Sequence, residues 1–216
     1  MKIVLFGATG NVGQRITKEA LDRGHRVIAV VRDAKASTSP DPRATLVSGD
    51  GTEKASIAAV SKGADAVISS ISPRPNARGL AAPSLVTSAH AFIQGLAEAG
   101  VKRFVIVGGA GSLEIAPGQA LVDQAFFPEA YKAEANEARE ALKVYRAEAG
   151  ELDWTYLSPA AEIFPGERTG KYRTTGDAFF TDAAGKSRIT FEDYAVALVD
   201  ELEAPKHVGK RFGVAY

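Results

Sequence analysis

Lys2-Ile3-Val4-Leu5-Phe6-Gly7-Ala8-Thr9-Gly10-Asn11-Val12-Gly13 begins as an apolar run, stops at a glycine, and passes two further glycines at three-residue intervals. The run 3–6 is short and bounded by glycine, which suits a buried parallel strand. Residues 12–23 then carry apolar side chains at Val12, Ile16, Ala20 and Leu21, one face of a helix. Gly24 ends that helix, 27–31 reads as a second strand, and the Ser- and Pro-containing stretch 33–43 reads as a loop. Strand, glycine turn, helix and strand make one βαβ unit.

The same alternation continues outward. Short apolar runs at 44–47, 66–69, 103–107 and 154–157 are separated by helical stretches at 53–61, 82–99 and 128–149, the last with Ala138, Ala141, Leu142 and Tyr145 on one face. This order predicts an α/β fold: a Rossmann-type, doubly wound parallel sheet of roughly six strands with helices on both faces. After Pro159 the pattern changes to the loop 165–170 and an expected hairpin over 179–190 turning at Ala184-Gly185. A final helix over 191–203 is introduced by Thr190, with Asp193 as an acidic variant of the capping box. Neither an internal repeat nor a linker interrupts the chain, so residues 1–216 read as a single domain with 160–216 as a small C-terminal cap on the substrate side.

Composition narrows the function classes. At 216 residues and 45% hydrophobic content the chain can bury one sizeable core. Its 26 basic residues balance 26 acidic ones without long like-charge runs, so neither nucleic acid nor a membrane surface is expected as a partner, and a small molecule is. Cysteine is absent, which removes disulfides, thiolate metal sites and cysteine nucleophiles. The opening apolar run is too short for a signal core and no stretch of about 18 apolar residues occurs. A cytoplasmic protein, monomeric or homodimeric, is the expectation.

In an open parallel sheet, ligands bind at the carboxyl ends of the strands. Three glycines where a strand becomes a helix let the backbone approach a pyrophosphate, and the helix N-terminus presents amides and a positive dipole end. Gly7, Ala8, Thr9, Gly10, Asn11, Val12 and Gly13 are therefore assigned to a dinucleotide. Asp33 lies about 20 residues past Gly13, the spacing of a ribose-binding acid, but Arg32 stands closer to the strand end. A guanidinium there accepts a 2′-phosphate that a carboxylate would repel, which favours NADP, with NAD still possible. Asp50-Gly51 at the third strand end either reaches the adenine or caps the next helix. Ser69-Ser70-Ile71 at the fourth strand end either runs past the ribose or is plain loop.

Beyond the glycine turn, Val30-Val31-Arg32, Val107-Gly108-Gly109-Ala110-Gly111-Ser112-Leu113, Asp153-Trp154-Thr155-Tyr156-Leu157-Ser158-Pro159, Pro165-Gly166-Glu167-Arg168-Thr169-Gly170 and Glu192-Asp193-Tyr194-Ala195 follow in order. In these segments the chain resembles the NADH-flavin reductase group of atypical short-chain dehydrogenases, which is similar to the biliverdin reductase B group and to NmrA-like proteins. The resemblance implies bound NADP, contacted also by Gly108, Gly109 and Pro159. The nicotinamide would lie near Ser158-Pro159-Ala160-Ala161, with Ser112 nearest the hydride-transfer site. The chain departs from the short-chain dehydrogenases at their Tyr-x-x-x-Lys pair, because Tyr131 is followed at once by Lys132 and has Ala135 at the lysine position. Adjacent helical residues do not share a face.

Flavins and quinones can accept a hydride and take their proton from water, so a reductase for them mainly stacks the acceptor. Ser112 either hydrogen-bonds such an acceptor or caps its own turn, and Tyr131 and Lys132 are further catalytic candidates. Phe126, Phe127, Phe164, Phe179 and Phe180 either line the pocket mouth or belong to the core. Arg168, Lys171 and Arg173 either meet an FMN phosphate or solvate a loop. His25, His90 and His207 are far apart in sequence, so no metal site is expected. The leading expectation is an NADPH-dependent reductase of a flavin, quinone or similar planar acceptor, the flavin being substrate rather than prosthetic group. An NADP(H)-sensing regulator of the NmrA type and a sugar-nucleotide epimerase or dehydratase are the alternatives.

Overall fold

Strict alternation along the first strand divides the molecule into two cores. In the computed structural model, which describes residues 1–74 and 83–216, β1 (Lys2–Phe6) sends Ile3 and Leu5 into one apolar cluster and Val4 and Phe6 into another. A strand buried on both faces is the mark of a parallel sheet covered by helices. The chain continues through α1 (Asn11–Asp22), β2 (Arg26–Val31), β3 (Thr45–Ser48), α2 (Lys54–Ser61), β4 (Ala66–Ser69), α3 (Leu85–Ala99) and β5 (Arg103–Val107). A small hairpin, β6 (Glu114–Ala116) and β7 (Gln119–Ala120), precedes α4 (Glu129–Glu148). β8 (Asp153–Ser158), β9 (Glu162–Phe164), β10 (Arg173–Thr175), β11 (Arg188–Thr190), α5 (Phe191–Glu203) and β12 (Lys210–Ala215) complete it.

The main sheet has eight strands in the order β10-β12-β8-β5-β4-β1-β2-β3, all parallel except the edge strand β10, which runs antiparallel to β12. This is the expected doubly wound sheet, larger by two strands that sequence periodicity did not mark. Helices α1 and α5 cover one face, where Ile16, Ala20, Tyr194 and Leu198 meet Leu5, Ala29 and Leu157. Helices α2, α3 and α4 cover the other, across an aromatic chain from Phe6 through Phe92 and Phe104 to Tyr145 and Trp154.

Expected helix bounds hold to within a few residues, apart from the start at Ala82, which lies outside the described residues. The hairpin over 179–190 is corrected. A tight turn does form, with the Asp182 amide donating to the Lys186 carbonyl at 2.8 Å. β11, however, pairs in parallel with β9 rather than folding back on a neighbour. The 160–216 segment also does more than cap, since α5 packs on α1 and β12 enters the sheet between β8 and β10.

Asp193 ties that segment down. Thr190 caps α5 by accepting the Asp193 amide at 3.1 Å, but the acid does not reach back as a capping box requires. Its carboxylate, 0% exposed, accepts instead from the Thr169 amide at 2.8 Å, the Thr169 hydroxyl at 2.6 Å, the Gly170 amide at 2.7 Å and the Tyr216 hydroxyl at 2.7 Å. The Pro165-to-Gly170 loop is thereby fixed to α5. Asp193→Ala is expected to lower the unfolding free energy by on the order of 3 kcal/mol, because several donors lose their acceptor together. Burial raises the Asp193 carboxyl, yet the bonds from Thr169, Tyr216 and the loop amides outweigh it and leave it below its ordinary 3.8. A depressed carboxyl stabilises the fold fully above about pH 5 and loses that contribution as the pH falls through its folded-state value. Urea melts of wild type should thus show a steeper acid limb than those of the variant, and parallel limbs would refute this.

Candidate functional site

The carboxyl ends of β1, β2, β3, β4, β5 and β8 open on one side of the sheet, and the glycine turn stands at their centre. Gly7 has φ +76°, and a Cβ there would sit 2.3 Å from the Ser70 carbonyl oxygen. A Cβ on Gly13 would sit 2.2 Å from the Gly7 carbonyl oxygen. Both positions are closed by backbone, which cannot move aside as a flexible side chain can. Gly10 differs: its Cβ would meet only the Gly7 oxygen at 3.4 Å, an ordinary contact, and the residue is exposed. Gly10 is the N-cap of α1, no side chain among the described residues caps that helix, and its first turn contains no acid. The amides of Asn11, Val12 and Gly13 thus stand at a positive dipole end beside exposed Thr9 and Gly10, a cradle suited to a phosphate. Ala8 is buried beneath it and Val12 half-buried.

Arg32 lies exposed directly after β2. The Asp33 carboxylate is turned into its own loop, where one oxygen accepts the amides of Lys35 at 3.0 Å and Ala36 at 3.2 Å. The Asp50 carboxylate accepts the Thr52 amide at 2.8 Å and its hydroxyl at 2.7 Å, a local turn ahead of α2, whose N-cap is Glu53. Gly51 is buried, and a Cβ would meet the Ile71 side chain at 2.3 Å. Ser69 is buried, while Ser70 continues the ladder by donating its amide to the Phe6 carbonyl at 2.9 Å. The fourth strand end is in this way packed against the glycine turn, and the third against the Ile71 side chain that follows it. At the end of β8, Ser158 and Pro159 are buried, and the Ser158 hydroxyl has no hydrogen-bond partner among the described residues. An orphaned hydroxyl at a strand's carboxyl end, together with the glycine cradle, fits a dinucleotide laid across these ends.

The end of β5 is moulded around Tyr156. A Cβ on Gly108 would fall 2.0 Å from the Tyr156 ring, and the Tyr156 hydroxyl accepts the Gly109 amide at 3.3 Å and donates to the Ala138 carbonyl at 3.1 Å. Burial pushes that phenol up to about 12, so it stays protonated. Beyond it, Gly111 rests on α4: its Cβ would stand 2.6 Å from that of Ala135. This contact explains the departure from the Tyr-x-x-x-Lys pattern physically, since the lysine position faces a packed turn. Tyr131 is 53% exposed under the Arg74 guanidinium at 5.7 Å, and Lys132 pairs with Glu129 at 2.7 Å. They do not form a proton-transfer pair. Ser112 is half-buried, and its hydroxyl accepts from Arg211 at 3.4 Å. Nothing in the sequence pattern singled out Arg211.

Among the five phenylalanines, Phe126 is 71% exposed and the others half-buried. Arg168 is not available for an FMN phosphate, because it grips Glu19 through two hydrogen bonds at 2.7 and 2.8 Å. Arg173 donates to the Thr181 and Tyr216 carbonyls and stacks on Phe180, and Lys171 remains exposed. His25, His90 and His207 each face a glutamate, Glu203, Glu148 and Glu201 in turn, and no metal-binding cluster occurs among the described residues. A hollow of about 310 Å³ lies at the amino ends of β1, β2 and β3, away from the glycine turn. Among the described residues, no helix is long and apolar enough to cross a membrane.

Comparison with known proteins agrees with this geometry. Residues 7–205 match the model of a family described as NAD(P)H-binding. An uncharacterized Bacillus subtilis protein, YwnB, is 38% identical over 217 residues, spanning 99% of this chain and 98% of its own. The solved structure of a Streptococcus pneumoniae protein called a "putative NADH-flavin reductase" aligns with a TM-score of 0.84 at 35% identity, covering 100% of this chain and 99% of that one. A Bacteroides thetaiotaomicron protein called a "putative epimerase" aligns with a TM-score of 0.87 at 41% identity, covering 100% and 96%.

Two substitutions separate the jobs of the glycines. Gly13→Ala forces a backbone contact and is expected to lower the melting temperature sharply. Gly10→Ala should leave the melt within a few degrees of wild type, yet weaken dinucleotide binding by about tenfold or more, because its methyl intrudes on the phosphate cradle. Equal melting losses in the two variants would contradict this division. Ala135→Lys, which restores the lysine spacing, is expected to destabilise the fold through the Gly111 contact, measured in the same melts.

Proposed function

The chain belongs to the NAD(P)H-binding family, and from that premise we propose that it is an NADPH-dependent reductase of a flavin, quinone or similar planar acceptor. The cofactor when bound supplies a hydride. This chain's residues have to hold the cofactor, exclude water from its reactive end and offer a flat acceptor a place to stack. Residues 7–13 hold the pyrophosphate, Arg32 the 2′-phosphate, and Gly51, Ser70 and Ile71 border the adenosine half. Gly108, Gly109 and Pro159 flank the reactive end, with Ser112 beside the acceptor.

The observation that carries this reading is the packing of Ala135 against Gly111. A lysine there would relay protons for alcohol or epimerase chemistry, and its place is filled. Reduction of a planar acceptor does not need that relay, because the reduced product takes its proton from water. The epimerase reading is disfavoured by the same contact, whatever activity the Bacteroides protein has. Exposed Arg32 favours NADPH, whose additional phosphate matches a guanidinium fork. A cytoplasmic monomer or homodimer is part of the same proposal.

Purified protein should oxidise NADPH only when FMN, FAD, riboflavin or a quinone is added, followed by loss of NADPH absorbance. Tight NADPH binding without turnover across that panel would instead favour a cofactor-sensing regulator. Arg32→Glu should shift preference from NADPH towards NADH by on the order of a hundredfold, since it replaces an ion pair with a like-charge contact worth several kcal/mol. An unchanged ratio would remove Arg32 from the 2′-phosphate site.

A further inference from the structure

Arg211 is a charged side chain buried within the sheet. It sits on β12, beside Tyr156 of β8 in the strand register, with its side chain 1% exposed. Its Nε donates to Asp177 at 2.5 Å, and Asp177 is also held by Arg146 of α4 at 2.7 Å. The two remaining nitrogens converge on one residue: Nη1 donates to the Ser112 hydroxyl oxygen at 3.4 Å and Nη2 to the Ser112 carbonyl at 3.2 Å. A buried guanidinium is thus locked by a carboxylate on one edge and spends its other edge on a single serine.

The polarity of those bonds matters. A guanidinium has only donors, so the Ser112 oxygen must accept from it, and the one proton of that hydroxyl is left to donate elsewhere. A hydroxyl that accepts from a cation is polarised and donates more strongly. We propose that Arg211, fixed by Asp177, is a positioning residue that sets the Ser112 hydroxyl as a hydrogen-bond donor towards an acceptor oxygen bearing negative charge. The site would then prefer acceptors of the quinone or flavin carbonyl class, in which charge collects on oxygen as the hydride arrives. This inference rests on the reductase reading above for the place of Ser112 beside the acceptor.

The test is a double-mutant cycle read by binding as well as by rate. Arg211→Lys keeps a cation for Asp177 but lacks the second planar edge that reaches Ser112, while Ser112→Ala removes the hydroxyl. The probe is a hydroxynaphthoquinone anion titrated by fluorescence into protein saturated with NADP⁺. Each single variant and the double variant should weaken its binding by the same factor of about ten, the value of one charge-assisted hydrogen bond. The kcat for a quinone should fall alongside, with the KM for NADPH unchanged. Effects that multiply in the double variant, a probe affinity insensitive to either change, or no binding by wild type would overturn the proposal. If Arg211→Lys does not fold, Asp177→Asn carries the cycle: it should weaken the probe in the wild-type background and leave it unchanged in the Ser112→Ala background. Probe binding with a non-additive cycle, but no NADPH oxidation with any acceptor, would sink the reductase reading and leave the positioning role standing.

Discussion

Three backbone segments meet at the glycine turn with no room for a side chain between them. The Gly7 carbonyl lies under Gly13, and the Ser70 carbonyl lies under Gly7, so β1, the start of α1 and the end of β4 are fixed together at van der Waals distance. The position of α1 on the sheet follows from that contact, and so does the direction in which its first amides face. Everything that a dinucleotide would touch is placed relative to this junction. Gly51 against Ile71 and Gly108 against Tyr156 repeat the device at neighbouring strand ends, each time bringing a side chain or a turn closer than a Cβ would allow.

The packing of α1 on α5 is held by charge. Glu19 on α1 binds Arg168 of the cap loop and Arg23, which in turn reaches Asp200 and Glu203 on α5. Hydrogen bonding by Arg168 is the strongest influence on the Glu19 carboxyl and keeps it below its ordinary value. Exposed ion pairs contribute little singly, but this one joins three segments and has a buried carboxylate at its centre. Together with Asp193, it fixes the loop after β9 to α1 and α5.

The βαβ opening, the alternation of strands and helices and the glycine cradle were legible because each rests on local periodicity and on glycine at fixed spacing. β10 and β12 were not, since Arg173-Thr174-Thr175 is polar and Lys210-Arg211-Phe212-Gly213 carries charge where a buried strand is expected to be apolar. Both are strands by virtue of their neighbours. The pairing of β9 with β11 was hidden for the same reason, as parallel partners distant in sequence leave no turn signature. At the site, the absence of a Tyr-x-x-x-Lys pair could be read directly, but its cause could not: the Ala135 contact exists only once α4 lies on the β5 turn. Arg211 escaped notice because a basic residue in a late segment reads as surface until the sheet closes over it.

β12 is last in sequence yet lies inside the sheet, with β8 on one side and β10 on the other. During synthesis this segment leaves the ribosome after β8 and β10, so until then β8 is an open edge and β10 has nothing to pair with. The nascent chain must therefore carry an exposed strand edge beside the developing site. Completion of the sheet waits on a strand far from β8 in sequence, and the free edge of β8 is a place for mispairing until β12 arrives.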